Sequence, residues 1–150
     1  MSKSNVKMIL VISTDLDSDE YFSFKVEMQK RYPCYADIKS VKNLYPNIPK
    51  YADKLFKAIQ DRHAVVVICS EALNNYLNGG KAENCDLLKE YERIILKKGF
   101  SEYTRKFIPV SFDESGKEFV PFGLKEPLLI DPEDGDNDNM CILAGNINSK

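Results

Sequence analysis

Five consecutive apolar residues, Ala64 to Ile68 in "HAVVVICS", include three adjacent valines and constrain the fold more than any other stretch. An unbroken run of this kind suits a strand buried on both faces, as in the middle of a parallel sheet. "MILVI", Met8 to Ile12, is a second such run, and "FIPVSF", Phe107 to Phe112, a third. Shorter, weaker strands are expected at Cys34 to Ser40 and at Pro127 to Ile130.

Helical spacing fills the intervals. After the polar cluster "TDLDSDE", in which Asp17 or Ser18 suits an N-cap, Tyr21, Phe24 and Met28 fall on one helical face. Tyr51, Leu55 and Ile59 do the same behind Pro49, which fits the first turn of a helix. A further helical region opens near Ser70 and Glu71 and is interrupted by "NGGKAEN". It resumes through Leu87, Leu88, Tyr91, Ile94 and Ile95 to Gly99, a residue suited to a C-cap. "VKNLYPNIPK", residues 41–50, reads as a loop because it holds two prolines and two asparagines. The polar turn Asp113 to Gly116 separates the third strong run from an extended segment starting at Val120-Pro121.

Strands alternating with helices imply an α/β fold with a mostly parallel sheet covered on both faces. Right-handed crossovers and five strands favour the order 2-1-3-4-5, a flavodoxin-like three-layer sandwich. Residues 1–130 are expected to form this domain. Residues 131–150, opening on the acidic "DPEDGDNDN", are expected to be a mobile tail in which "MCILAGNINSK" adds a turn of helix, a strand or nothing.

Composition excludes several function classes. A formal net charge of −2 argues against a general nucleic-acid binder. Cys34, Cys69, Cys85 and Cys141 form no CxxC pair, and His63 is the single histidine, so no metal site is expected and a reducing compartment fits best. No apolar stretch reaches the length of a membrane span, and the first apolar run is too short for a signal peptide.

In such a sheet, chemistry gathers at the carboxyl ends of the strands. Here these carry Ser13-Thr14-Asp15, Lys39-Ser40, Cys69-Ser70-Glu71, Ser111-Phe112-Asp113 and Asp131. There is no GxxxxGK[ST] loop and no GxGxxG after the first strand. The third strand ends in Cys69-Ser70-Glu71 and so lacks the aspartate of a phosphoacceptor domain. His63 stands at the amino end of its strand, away from any Ser–His–Asp arrangement.

Three blocks, "MILVISTDLDSDEYFSF", "AVVVICSEAL" and "RKFIPVSFDESGKEFVPFGL", together resemble a SEFIR domain. SEFIR domains are the TIR-like modules of interleukin-17 receptors and their cytoplasmic adaptor, and also occur in some bacterial proteins. The resemblance rests on Ser13-Thr14-Asp15, on Cys69-Ser70-Glu71, and most specifically on Phe107 to Val110 followed by Val120-Pro121. It covers about residues 6 to 130. The usual tyrosine ending the first strand is absent. "KNLYPNIPK" stands in place of the TIR "RDxxPG" loop, and there is no tryptophan. These departures favour SEFIR over ordinary TIR and leave a divergent member of either open.

The resemblance implies a cytoplasmic signalling adaptor or receptor-tail module, without cofactor. It would act by association with other SEFIR or TIR-like domains, including its own copies. Its contact surface would be Lys42, Leu44, Tyr45, Ile48, Tyr51, Lys54 and Lys57, the second-strand loop and the helix after it. Apolar side chains rimmed by charge suit such a contact. The alternative implied by TIR-like enzymes is cleavage of NAD as a substrate, with Glu90 as the catalytic carboxylate. Ser13, Asp15, Ser70 and Glu71 would then form the candidate cleft. A solvated helix face is the plainer role for Glu90.

Overall fold

The computed structural model describes residues 7–14, 16–32, 34–79, 87–121, 123–131 and 138–150. Five strands form one parallel sheet in the order β2-β1-β3-β4-β5, as the alternation of elements predicts. They are β1 (Met8–Ile12), β2 (Cys34–Asp37), β3 (Ala64–Ile68), β4 (Phe107–Ser111) and β5 (Leu128–Leu129). The helices are α1 (Asp19–Arg31), α2 (Ile38–Leu44), α3 (Ile48–Asp61), α4 (Glu71–Leu77), α5 (Leu87–Glu102) and α6 (Asp138–Asn148). The arrangement is flavodoxin-like.

Alternate strand residues serve opposite faces. Leu10, Ile12, Val65 and Val67 pack under Val41 of α2, Tyr51, Leu55 and Ile59 of α3, Leu73 of α4 and Leu96 of α5. Ile9, Val11, Val66 and Val110 pack under Phe24 and Met28 of α1 and Met140, Leu143 and Ile147 of α6. All five residues of β3 are buried, which is why its sequence is uniformly apolar.

Three helices begin on side-chain caps at the carboxyl ends of strands. Ser18 accepts the Tyr21 N–H at 3.0 Å, Asp37 accepts the Ser40 N–H at 2.8 Å, and Ser70 accepts the Leu73 N–H at 3.1 Å. Each fills an orphan donor of the first turn.

Two sequence expectations are corrected. The second strand stops at Asp37, and residues 38–44 are helical rather than strand and loop, because Asp37 caps a helix whose Ile38 and Val41 are buried. Within the expected tail, residues 138–148 form α6, which buries Met140, Leu143 and Ile147 in the same core as α1. No helix is long and apolar enough to cross a membrane among the described residues.

Candidate functional site

At the carboxyl ends of β1 and β2, a crevice of about 410 Å³ opens between Ser13 and Thr14, the start of α2, and helices α4 and α5. Its apolar walls include Ile12, Ile38, Leu73 and Leu96, and its charged groups include Lys42 and Glu92. Glu92 is only 4 % exposed. A carboxylate so removed from water needs partners. Tyr51 donates to its Oε1 at 2.7 Å, Tyr76 donates to Oε2 at 3.2 Å, and Lys42 Nζ stands 2.8 Å from Oε1. Burial, followed by the charge of Glu92, pushes the Tyr51 hydroxyl far above its ordinary value, so it remains a donor. Arg93 steadies Tyr76 from the other side, its Nε donating to the Tyr76 carbonyl at 2.6 Å.

This group brings together four elements: Lys42 from α2, Tyr51 from α3, Tyr76 from α4 and Glu92 from α5. Chemically it is a fixed carboxylate at the edge of an apolar crevice, able to accept from a hydroxyl-bearing ligand if Lys42 gives way.

Glu90 is not part of it. Two residues along an α-helix turn the side chain through about 200°, and Glu90 is exposed to solvent while Glu92 faces the crevice. Glu90 thus lies on the solvated face of α5, and the carboxylate that lines this crevice is Glu92.

A smaller crevice of about 280 Å³ lies at the carboxyl ends of β1, β3 and β4. It joins three of the expected cleft residues, Ser13, Ser70 and Glu71, with Asp113 and Gly116. Ser13 lines both crevices. Asp15 lies outside the described residues. The Ser70 hydroxyl serves as the α4 cap, and Glu71 is exposed in that helix's first turn, where the dipole favours a negative charge. Hydrogen bonds from Ser115 and from the Gly116 N–H hold the Asp113 carboxyl below its ordinary value. Among the described residues, no group of His, Cys, Asp and Glu is arranged to hold a metal ion.

The expected contact surface is divided by the fold. Leu44 is 73 % exposed at the end of α2. Tyr45 is half-buried, with Lys54 Nζ 5.6 Å from its ring centre, and Lys54 and Lys57 are exposed on α3. Tyr51, placed on that surface by its position in sequence, is fully buried instead and belongs to the core, where its hydroxyl meets Glu92. Lys42 is turned partly inward to Glu92. Ile48 opens α3, and its side chain lies outside the described residues.

No family model, no curated protein and no solved structure matches this chain.

Proposed function

We propose that this chain is a SEFIR-like association module of the cytoplasm, docking other SEFIR or TIR-like domains through the face where α2 meets α3. The observation that carries the reading is Leu44, a large apolar side chain held in solvent next to Tyr45, whose ring lies under Lys54 of α3. Such a side chain gains most from being covered by a partner. The neighbouring α3 is anchored in the core, because its Tyr51 and Leu55 are fully buried. The test is a binding titration, by light scattering and pull-down, against its own copies and against isolated SEFIR domains. Leu44→Asp and Tyr45→Ala should each weaken association about tenfold or more while leaving the fold intact. Association indifferent to both substitutions would refute the assignment of this face.

A second reading is favoured by one specific feature, the buried Glu92 in the lining of a largely apolar crevice. In the TIR-like reaction, a carboxylate holds ribose hydroxyls and stabilises an oxocarbenium-like transition state as the nicotinamide bond of NAD breaks. Glu92, which lines the crevice, is the carboxylate this reading would use, in place of the solvent-facing Glu90. Nicotinamide release by concentrated protein, lost in Glu92→Gln and kept in Glu90→Ala, would make the chain an enzyme. No release would leave the association module alone.

A further inference from the structure

The two ends of the sheet carry opposite charge. At the amino ends of the strands stand Lys7 before β1, Arg62 before β3, Arg105 and Lys106 before β4, and Arg31 and Lys30 at the close of α1. The register puts these leads along one edge, since Met8 pairs with Cys34, Ile9 with Ala64, and Val65 with Phe107. The carboxylates nearby include Glu102, the exposed Glu126 just before β5, and two that are already ion-paired, Glu27 with Lys30 at 3.2 Å, which offsets that lysine, and Asp61 with Lys57 at 3.6 Å.

The opposite edge carries Asp17, Asp19, Glu20, Glu71, Asp113 and Asp131. On that side Lys39, Lys42 and Lys117 are each ion-paired within the chain, to Asp17, Glu92 and Glu114, so that Asp17 is offset, and Lys50 in the first turn of α3 is exposed.

Helix dipoles account for only part of this polarity. Of α1, α3, α5 and α6, α1 alone closes on basic residues in its last turn. Lys7, Arg105 and Lys106 stand on strand leads and a 3-10 turn, where no α-helix dipole asks for them. A strand of five residues spans about 17 Å. That exceeds the screening length of about 8 Å at physiological salt, so the edges act as separate patches.

We propose that the basic amino-terminal edge of the sheet is an interaction surface, and that its partner is the acidic carboxyl-terminal edge of a second copy. Charge complementarity selects this partner: the matching surface is present on the same rigid domain. With a net charge of −2, two copies meet little overall repulsion, whereas a nucleic acid or anionic membrane meets a chain of its own sign. Contact between two different edges is heterologous, and because these lie at opposite ends of the strands the copies would stack in open rows along the strand direction. This surface is separate from the α2–α3 face, and the inference holds whether or not that face docks a partner.

The experiment is sedimentation velocity of the full chain over a concentration series at two salt levels. At about 0.01 M salt, with a screening length of about 30 Å, it should self-associate, and at about 1 M, with about 3 Å, it should not. The basic-edge variant Arg31→Glu/Arg105→Glu should weaken low-salt association about tenfold or more, as should the acidic-edge variant Asp19→Lys/Glu71→Lys. Far-ultraviolet circular dichroism checks that each variant is folded. Mixing the two variants should restore association, because each offers the edge that the other needs. Monomer at low salt, association that survives either reversal, or a mixture that stays monomeric would each overturn the proposal. So would heparin binding lost on reversing the basic edge without any self-association, which would make the partner a polyanion.

Discussion

Lys42 Nζ lies 2.8 Å from Glu92 Oε1, joining α2 to α5 in the lining of the 410 Å³ crevice. Two residues beyond Lys42 stands Leu44, the most exposed large apolar side chain on the proposed docking face. The face and the crevice therefore share an ion pair. Were a ligand to draw Glu92 away from Lys42, and a partner to dock on the proposed face and move α2, each binding would have to change the other by the same coupling free energy.

Tyr51 is the buried support of that pair. Tyr51→Phe keeps the ring in the core but removes the hydroxyl that donates to Glu92 at 2.7 Å. Leaving a buried carboxylate one donor short costs about 1–3 kcal/mol. Leu44→Ala, on an exposed side chain, should change stability by no more than about 0.5 kcal/mol. Urea unfolding of the two variants measures the contrast, and equal losses would show that Tyr51 is not the support described here.

Much of the fold was legible because burial on both faces leaves a strand with one solution. "AVVVI" and "MILVI" could hardly be anything else, and their order along the chain fixes the topology once crossovers are right-handed. The site was hidden by its own chemistry. On α5 the apolar positions suggested an inward face through Tyr91 and Ile94, yet both are exposed. The buried stripe is Glu92, Leu96 and Phe100, spaced four apart, and a carboxylate in the first place breaks the pattern that a periodicity search relies on. On α3 the spacing of Tyr51, Leu55 and Ile59 was sound evidence of burial, and it outweighs the placement of Tyr51 on a surface loop.

Acid should weaken the fold through Asp37. Burial pushes its carboxyl up, but hydrogen bonds from Tyr21 and from the Ser40 N–H and hydroxyl, with Lys25 beside it, bring it below its ordinary 3.8. Tyr35 completes the group: the one Tyr21 proton goes to Asp37, so Tyr35 donates to the Tyr21 oxygen. A folded value lower than the unfolded one gives stability that is present above about pH 4 and lost as pH falls through the folded value. Asp113 adds a smaller contribution of the same sign from its exposed site. Unfolding free energies measured from about pH 5 down to pH 2 should fall, and Asp37→Asn should flatten that fall. An unchanged slope in the variant would remove Asp37 from the account.

The described cysteines should differ sharply in reactivity. Cys34 and Cys141 are exposed, whereas Cys69 is buried at the end of β3 and burial pushes its thiol up to about 12. The thiolate is the reactive form, so Cys69 should resist iodoacetamide in the native protein and react only in denaturant. Peptide mass spectrometry after brief alkylation reads this directly. Native labelling of Cys69 at the rate of Cys34 would mean that the β3 end opens far more readily than its packing allows.

The last helix offers the clearest test of where the domain ends. Met140, Leu143 and Ile147 recur at the spacing of one helical face, but the acidic run before them made the whole segment read as a tail. In the structure all three are buried against α1 and the sheet, and Leu143 is fully inaccessible. Leu143→Ala removes three carbons from a packed core and should cost about 2–5 kcal/mol, the range set by how far the site can collapse. Ile142→Ala, one residue away on the half-exposed side of α6, should cost less than about 1 kcal/mol. A mobile tail predicts that both are neutral. Thermal and urea unfolding of the pair separates the two pictures, because only a docked helix can make neighbouring apolar residues so unequal.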